Sequence, residues 1–193
     1  TRPEAIKMCP VIHQLKRQQN IECSVCLTGQ HEEMINQVMK NFQIEPDYNL
    51  HVMTPEQTLA SVSSVIMEKL TDVYKKEKPD IVLVHGDTTS SYIAALCAFY
   101  LHIPVGHVEA GLRTYNMQSP FPEEFNRRSI DLIADIYFAP TQSAKDNLLA
   151  ENAEEGKIFV TGNTAIDALQ MTIKKDYSNA DIEWASDSRM ILM

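Results

Sequence analysis

The 193-residue chain has no apolar run near the ~20 residues that a helical membrane span requires. It has no excess of positive charge either: 17 Lys and Arg stand against 26 Asp and Glu, for a net charge of −9. That balance argues against nucleic acid or an anionic membrane as the main partner, although local arginines can still hold a phosphorylated ligand. A zinc pattern is missing as well. Cys23-Ser-Val-Cys26 is the one C-x-x-C, with no second copy and no histidine pair at zinc spacing. It falls in an expected strand, where residues three apart point to opposite faces. Cys9, Cys23, Cys26 and Cys97 therefore read as thiols in a reducing cytoplasm, with no metal site. No repeat, low-complexity segment or signal-peptide pattern is visible. Hydrophobic residues at 44% and charged residues at 22% describe an ordinary globular protein with room for one good core.

What is present centres on Ile81-Val-Leu-Val84, an unbroken aliphatic run suited to a strand buried on both faces of a parallel sheet. Gly86 permits a sharp turn, and Thr88 to Ser91 supply hydroxyls for a helix cap. An apolar helix follows to about His102, stopped by Pro104, and a second buried run begins at Val105. This is a strand–helix–strand unit with parallel strands. Asp87 falls just past the first strand and Glu109 just past the second, on the edge where open α/β sheets bind ligands. A lone acid there is most simply a cap or a solvated loop residue. Two, each in a glycine-containing turn after an apolar strand, point to function.

The remaining elements follow from caps and periodicity. Thr1-Arg-Pro-Glu4 has capping-box spacing and starts a helix to about residue 19, with Arg2 and Lys7 near its anion-favouring N-terminus. A strand is expected over residues 22–28, a helix over 32–42, and a short strand over 47–51. Thr54-Pro-Glu-Gln57 reads as the start of a helix burying Leu59, Val62, Ile66, Leu70 and Val73. A long aperiodic loop, Gly111 to Pro122, leads to a helix carrying Ile130, Leu132 and Ile133. On it Glu123 and Arg127 share a face, which allows a plain intrahelical ion pair. Strands at 136–139 and 157–160 flank a helix capped by Thr141. Thr161-Gly-Asn-Thr164 opens a last helix as either an anion-binding loop or a capped turn. The chain starts without methionine on a helix signal and stops inside Met190-Ile-Leu-Met193, so a fragment is expected.

In combination, several stretches resemble the non-hydrolysing UDP-N-acetylglucosamine 2-epimerases. They are Thr1-Arg-Pro-Glu-Ala-Ile-Lys-Met8, Thr28-Gly-Gln-His31, Val84-His-Gly-Asp-Thr88, Gly106-His-Val-Glu-Ala-Gly-Leu-Arg113, Ser119-Pro-Phe-Pro-Glu-Glu124 with Asn126-Arg127, and Thr161-Gly-Asn-Thr164 with Ile166-Asp167. The resemblance covers essentially the whole chain in the family's order. It implies an α/β fold: a Rossmann-like parallel sheet flanked by helices, as the first lobe of a two-lobe glycosyltransferase-B-type architecture. Residues 1–173 would form that lobe without its opening strand, residues 174–188 a linker, and residues 189–193 the start of a second lobe. The cleft between lobes would hold the site, so the 193 residues alone are expected to lack turnover.

The resemblance further implies inversion at C2 by elimination of UDP to 2-acetamidoglucal and re-addition, converting UDP-N-acetylglucosamine to UDP-N-acetylmannosamine. Asp87, Glu109 and Glu123 would be the acid/base residues. Arg2, Lys7 and Arg127 would contact substrate or phosphate, and Gln30-His31 would contact substrate, in some members a second, regulatory molecule. No metal or redox cofactor is needed, and a cytoplasmic homodimer is expected. One departure stands out: regulated members carry an arginine on a neighbouring helix, and the helix from Thr54 has none through Tyr74. Three rival readings compete with it: a glycosyltransferase of the same architecture, a non-catalytic sugar-nucleotide sensor, and a metallophosphoesterase. The last fails because Thr164, not histidine, follows Asn163.

Overall fold

The computed structural model describes residues 2–29, 32–53, 57–173 and 183–184. Thr1, Gln30, His31, Thr54 and residues 189–193 lie outside them, as does all of the expected linker except Glu183 and Trp184. Among the described residues seven helices alternate with six strands: α1 (Arg2–Lys16), β1 (Cys26–Leu27), α2 (Glu32–Asn41), β2 (Tyr48–Asn49), α3 (Leu59–Glu77), β3 (Val82–His85), α4 (Thr89–Tyr100), β4 (Val105–Val108), α5 (Glu123–Ile133), β5 (Ile136–Ala139), α6 (Gln142–Ala150), β6 (Ile158–Val160) and α7 (Thr164–Thr172). Every ladder is parallel. One sheet runs β3-β4-β5-β6 in sequence order, and β1 pairs β2 in a second. The expected α/β class with parallel strands and flanking helices is what the chain adopts.

Two expectations need correction. The strand over 22–28 is paired only at Cys26 and Leu27, because β2 offers it just two ladder positions. Upstream, the Val25 N–H is taken by the Asp47 side chain instead. The third helix begins at Leu59, not near Thr54. Thr58 caps it by accepting from the Ser61 N–H at 3.1 Å, while Ser61 Oγ accepts from the Thr58 N–H at 3.0 Å. This reciprocal capping box satisfies two otherwise orphaned donors and sets the start. The buried stripe is accordingly Val62, Ile66, Leu70 and Tyr74, with Leu59 half-exposed and Val73 partly buried.

The main core joins α3 and α4 to β3 and β4, with Ile66, Ala95, Ala98 and Val105 all essentially inaccessible. Burying one such aliphatic side chain contributes about 1.5–3 kcal/mol. A second cluster packs α1 on α2, with Cys9, Ile12, Val38 and Met39, and reaches Ala168 of α7. A third holds α6 against β5 and β6 through Ala139, Ala144 and Leu148. Helix α5 is different. Ile130 is buried, but so are Glu124, Asn126 and Asp131, whereas Leu132 is 85% exposed. Its inward face is largely polar, which foretells its role.

The turn after β4 is tied to α6 at Gly111, where φ is +85° and a Cβ would stand 2.2 Å from the Ala144 carbonyl oxygen. Gly111→Ala should therefore destabilise the intact protein by roughly 1–3 kcal/mol or more, read as a lower denaturation midpoint. An unchanged midpoint would mean that the turn can leave α6 without cost.

Candidate functional site

Register brings the acids together. His85 of β3 pairs with Val108 of β4, so the chain leaves both strands at the same edge of the sheet. Gly86 turns with φ +67° and donates its N–H to the Val108 carbonyl at 2.9 Å. Glu109 adopts φ +68°, a left-handed conformation that is strained for a side-chain-bearing residue. It is held there because the N–H groups of Glu109 and Ala110 both donate to the Phe138 carbonyl of β5, at 3.0 and 3.1 Å.

Each acid meets a cation from a flanking helix. Lys7 of α1 reaches Glu109 with Nζ 2.6 Å from Oε1. Arg127 of α5 places Nη2 2.6 Å from Asp87 Oδ2, and Nη1 3.6 Å from Glu124. Among the described residues no ion pair joins Glu123 to Arg127, so the plain intrahelical pair does not form. Arg127 is drawn instead across to β3. Glu123, half-buried on the first turn of α5, is near enough to Asp87 for its charge to be felt there. Arg2 is exposed at the start of α1, and among the described residues no ion pair links it to these acids.

Burial raises the Asp87 carboxyl above the ordinary aspartate range, and the charges of Glu123 and Glu109 add to this, against the opposing pull of Arg127. A carboxyl so raised is better matched to proton transfer near neutral pH than a free aspartate. His85 is buried behind Glu109, with Nε2 3.9 Å from Oε2. Burial pushes its value down to about 4, so it is neutral at pH 7.

Several participants went unread in the sequence. Asn126 donates to the Asp87 carbonyl oxygen at 2.9 Å, fixing the acid's backbone from α5. Asn163 caps α7 by accepting from the Ala165 N–H, and its Nδ2 donates to Glu109 at 3.3 Å. The Thr161 to Thr164 turn is thus a capped one whose cap reaches an acid. Glu124 is wholly buried and accepts from the backbone N–H groups of Thr114 and Tyr115, at 3.0 and 2.9 Å, anchoring the long loop. The one available signal was polar residues recurring on α5 where an apolar face was expected. Concavities of about 470 and 240 Å³ lie away from the acids, beside Lys16 and Lys40 and beside Phe99 and His102. Among the described residues no His, Cys, Asp and Glu cluster could hold a metal ion, and no helix is long and apolar enough to cross a membrane.

Carboxylates and cations are thus gathered at the carboxyl edge of a parallel sheet, the edge where open α/β folds bind ligands. The family model for UDP-N-acetylglucosamine 2-epimerase matches residues 13–193, and the chain belongs to that family. It is 52% identical over its whole length to the UDP-N-acetylglucosamine 2-epimerase of Bacillus subtilis (strain 168), covering 51% of that protein. A crystal structure of a UDP-N-acetylglucosamine 2-epimerase superposes with a TM-score of 0.94 at 52% identity, over 97% of this chain and 52% of that one. The Neisseria meningitidis UDP-GlcNAc 2-epimerase bound to UDP-GlcNAc superposes with a TM-score of 0.85 at 54% identity, over 88% of this chain and 46% of that one. The chain thus spans about half the length of the curated relatives it matches.

Arg127 holds the Asp87 carboxyl down against the rise that burial causes. Arg127→Gln should therefore move the Asp87 titration to still higher pH, measured by carboxyl carbon NMR. A shift to lower pH would contradict the arrangement.

Proposed function

We propose that the intact protein interconverts UDP-N-acetylglucosamine and UDP-N-acetylmannosamine. A carboxylate removes the C2 proton, the electron pair forms the C1–C2 double bond, and the C1–oxygen bond breaks to release UDP. After the 2-acetamidoglucal turns over, UDP adds back and a second carboxylic acid delivers a proton to the opposite face. The observation that carries this reading is the pairing of Asp87 with Arg127 and of Glu109 with Lys7 at adjacent strand ends. Two proton-transfer groups on one edge match the chemistry at C2, and two cations match a departing diphosphate. The UDP-GlcNAc bound in the Neisseria relative supports the substrate class.

In this reading Asp87, Glu109 and Glu123 exchange protons, and Lys7, Arg127 and Arg2 meet the diphosphate. Gln30 and His31 contribute to substrate binding. Residues 1–173 form the first lobe, residues 174–188 the linker, and a second lobe from residue 189 closes a cleft over these acids. A cytoplasmic homodimer completes the proposal, carried by the family resemblance. The scheme needs no metal or redox cofactor.

Turnover in heavy water should place deuterium at C2 of both recovered substrate and product; retention of the original hydrogen would exclude the proton-abstraction route. Replacing Asp87, Glu109 or Glu123 by its amide in the intact protein should lower kcat by roughly 10²–10⁴-fold with little change in melting temperature. An amide variant that lost its fold as well would assign that residue to structure.

A further inference from the structure

Asn163 stands where the last helix meets the acid-bearing edge of the sheet. The Thr161 N–H donates to the Ala139 carbonyl at 2.9 Å, which ties the end of β6 to β5. Gly162 then turns with φ +81° and delivers Asn163 as the cap of α7. The amide is used at both ends. Its Oδ1 accepts from the Ala165 N–H at 2.9 Å, and its Nδ2 donates to Glu109 Oε1 at 3.3 Å. An N–H needs an acceptor, and an oxygen facing a lysine ammonium needs donors, so the two contacts fix which way the amide points. Lys7 Nζ reaches the same Oε1 at 2.6 Å. Among the described residues Oε2 has no hydrogen bond, His85 Nε2 standing 3.9 Å away. A Cβ on Gly86 would lie 3.7 Å from Oε2, so this free oxygen faces the turn that carries Asp87. We propose that Asn163 is a positioning residue for Glu109: together with Lys7 it holds Oε1 and leaves Oε2, on the Asp87 side, as the oxygen that exchanges the proton.

The surroundings make this hold a firm one. Helices α1 and α7 pack together, with Ala168 buried in one cluster with Cys9 and Ile12, so Lys7 and Asn163 approach Oε1 from a shared core. The backbone of Glu109 is already fixed by its bonds to Phe138. What remains to be set is the direction of the carboxyl group, which the side-chain torsions of a glutamate leave open. Lys7 sets it poorly alone, because an ammonium is a point charge on a flexible stem. An amide anchored at its other end by a helix cap is directional. Asparagine can cap and donate at once, whereas aspartate caps without a donor and serine caps but is too short to reach Oε1. Only the reacting role of Oε2 rests on the proposed epimerase reading.

Asn163→Ser and Asn163→Asp in the intact protein separate the two uses of the amide. Both keep a capping oxygen, so the melting temperature should stay near that of the wild type, whereas Asn163→Ala loses the cap and should melt lower. Both also lose the donation to Glu109. The kcat for epimerisation should fall by up to about 10²-fold with KM little changed, as it does when a reacting group is misplaced. The loss should be larger in the Asp variant, which sets a second carboxylate against Oε1. Wild-type kcat in both variants, or a loss carried by KM alone, would overturn the positioning role and leave Asn163 a cap. Deuterium relaxation of the Glu109 side-chain methylenes reads the hold without reference to any reaction. Greater mobility is expected in Asn163→Ser, and an order parameter equal to that of the wild type would overturn the proposal. Absence of any C2 exchange in the wild-type protein would sink the epimerase reading, and the relaxation would still decide what Asn163 holds.

Discussion

The site depends on the register of β3 against β4. Because His85 lies opposite Val108, Asp87 and Glu109 emerge from neighbouring strands at one level of the sheet. A slip of one residue would turn every side chain of one strand to the other face and carry its acid away. The register is locked on both sides. Gly86 donates back to Val108, and the N–H groups after β4 donate to Phe138 of the next strand. The strain at Glu109 is sustained by the bonds to Phe138.

Gathering acids at one edge raises an electrostatic problem, since each raises the free energy of ionising the next. The fold answers with cations brought from elements distant in sequence. Lys7 comes from α1 and Arg127 from α5. This explains why α5 faces inward with Glu124, Asn126 and Asp131, residues that would be costly there without partners. Each has one: backbone N–H groups of the long loop, the Asp87 carbonyl, and His107 with Arg113. Helix α5 thereby ties the loop, the acid turn and β4 into one polar unit.

Much of this was legible in the sequence, and the reasons can be given element by element. The aliphatic runs at Ile81 and Val105, the Thr88 and Thr141 caps and the Pro104 stop reported strands and helices that form nearly where expected. These signals are local, a matter of side-chain burial and of hydrogen bonds within one turn. One position failed: the helix expected from Thr54-Pro-Glu-Gln57 begins after Thr58, where the reciprocal bond with Ser61 sets its start. The strand at 22–28 failed for another reason: its length depends on how much partner it finds.

The sequence by itself determined the alternation of strands and helices and the placing of Asp87 and Glu109 after buried strands, because backbone and burial preferences act over a few residues. Only the tertiary structure decided that Arg127 serves Asp87 and not Glu123, that Lys7 reaches Glu109 across 102 positions, and that His107 sits between the Gly86 carbonyl and the Asp131 carboxyl group. Pairing between charges is set by distance in space, and the spacing of residues along a chain does not contain the distances between elements that the packed core brings together.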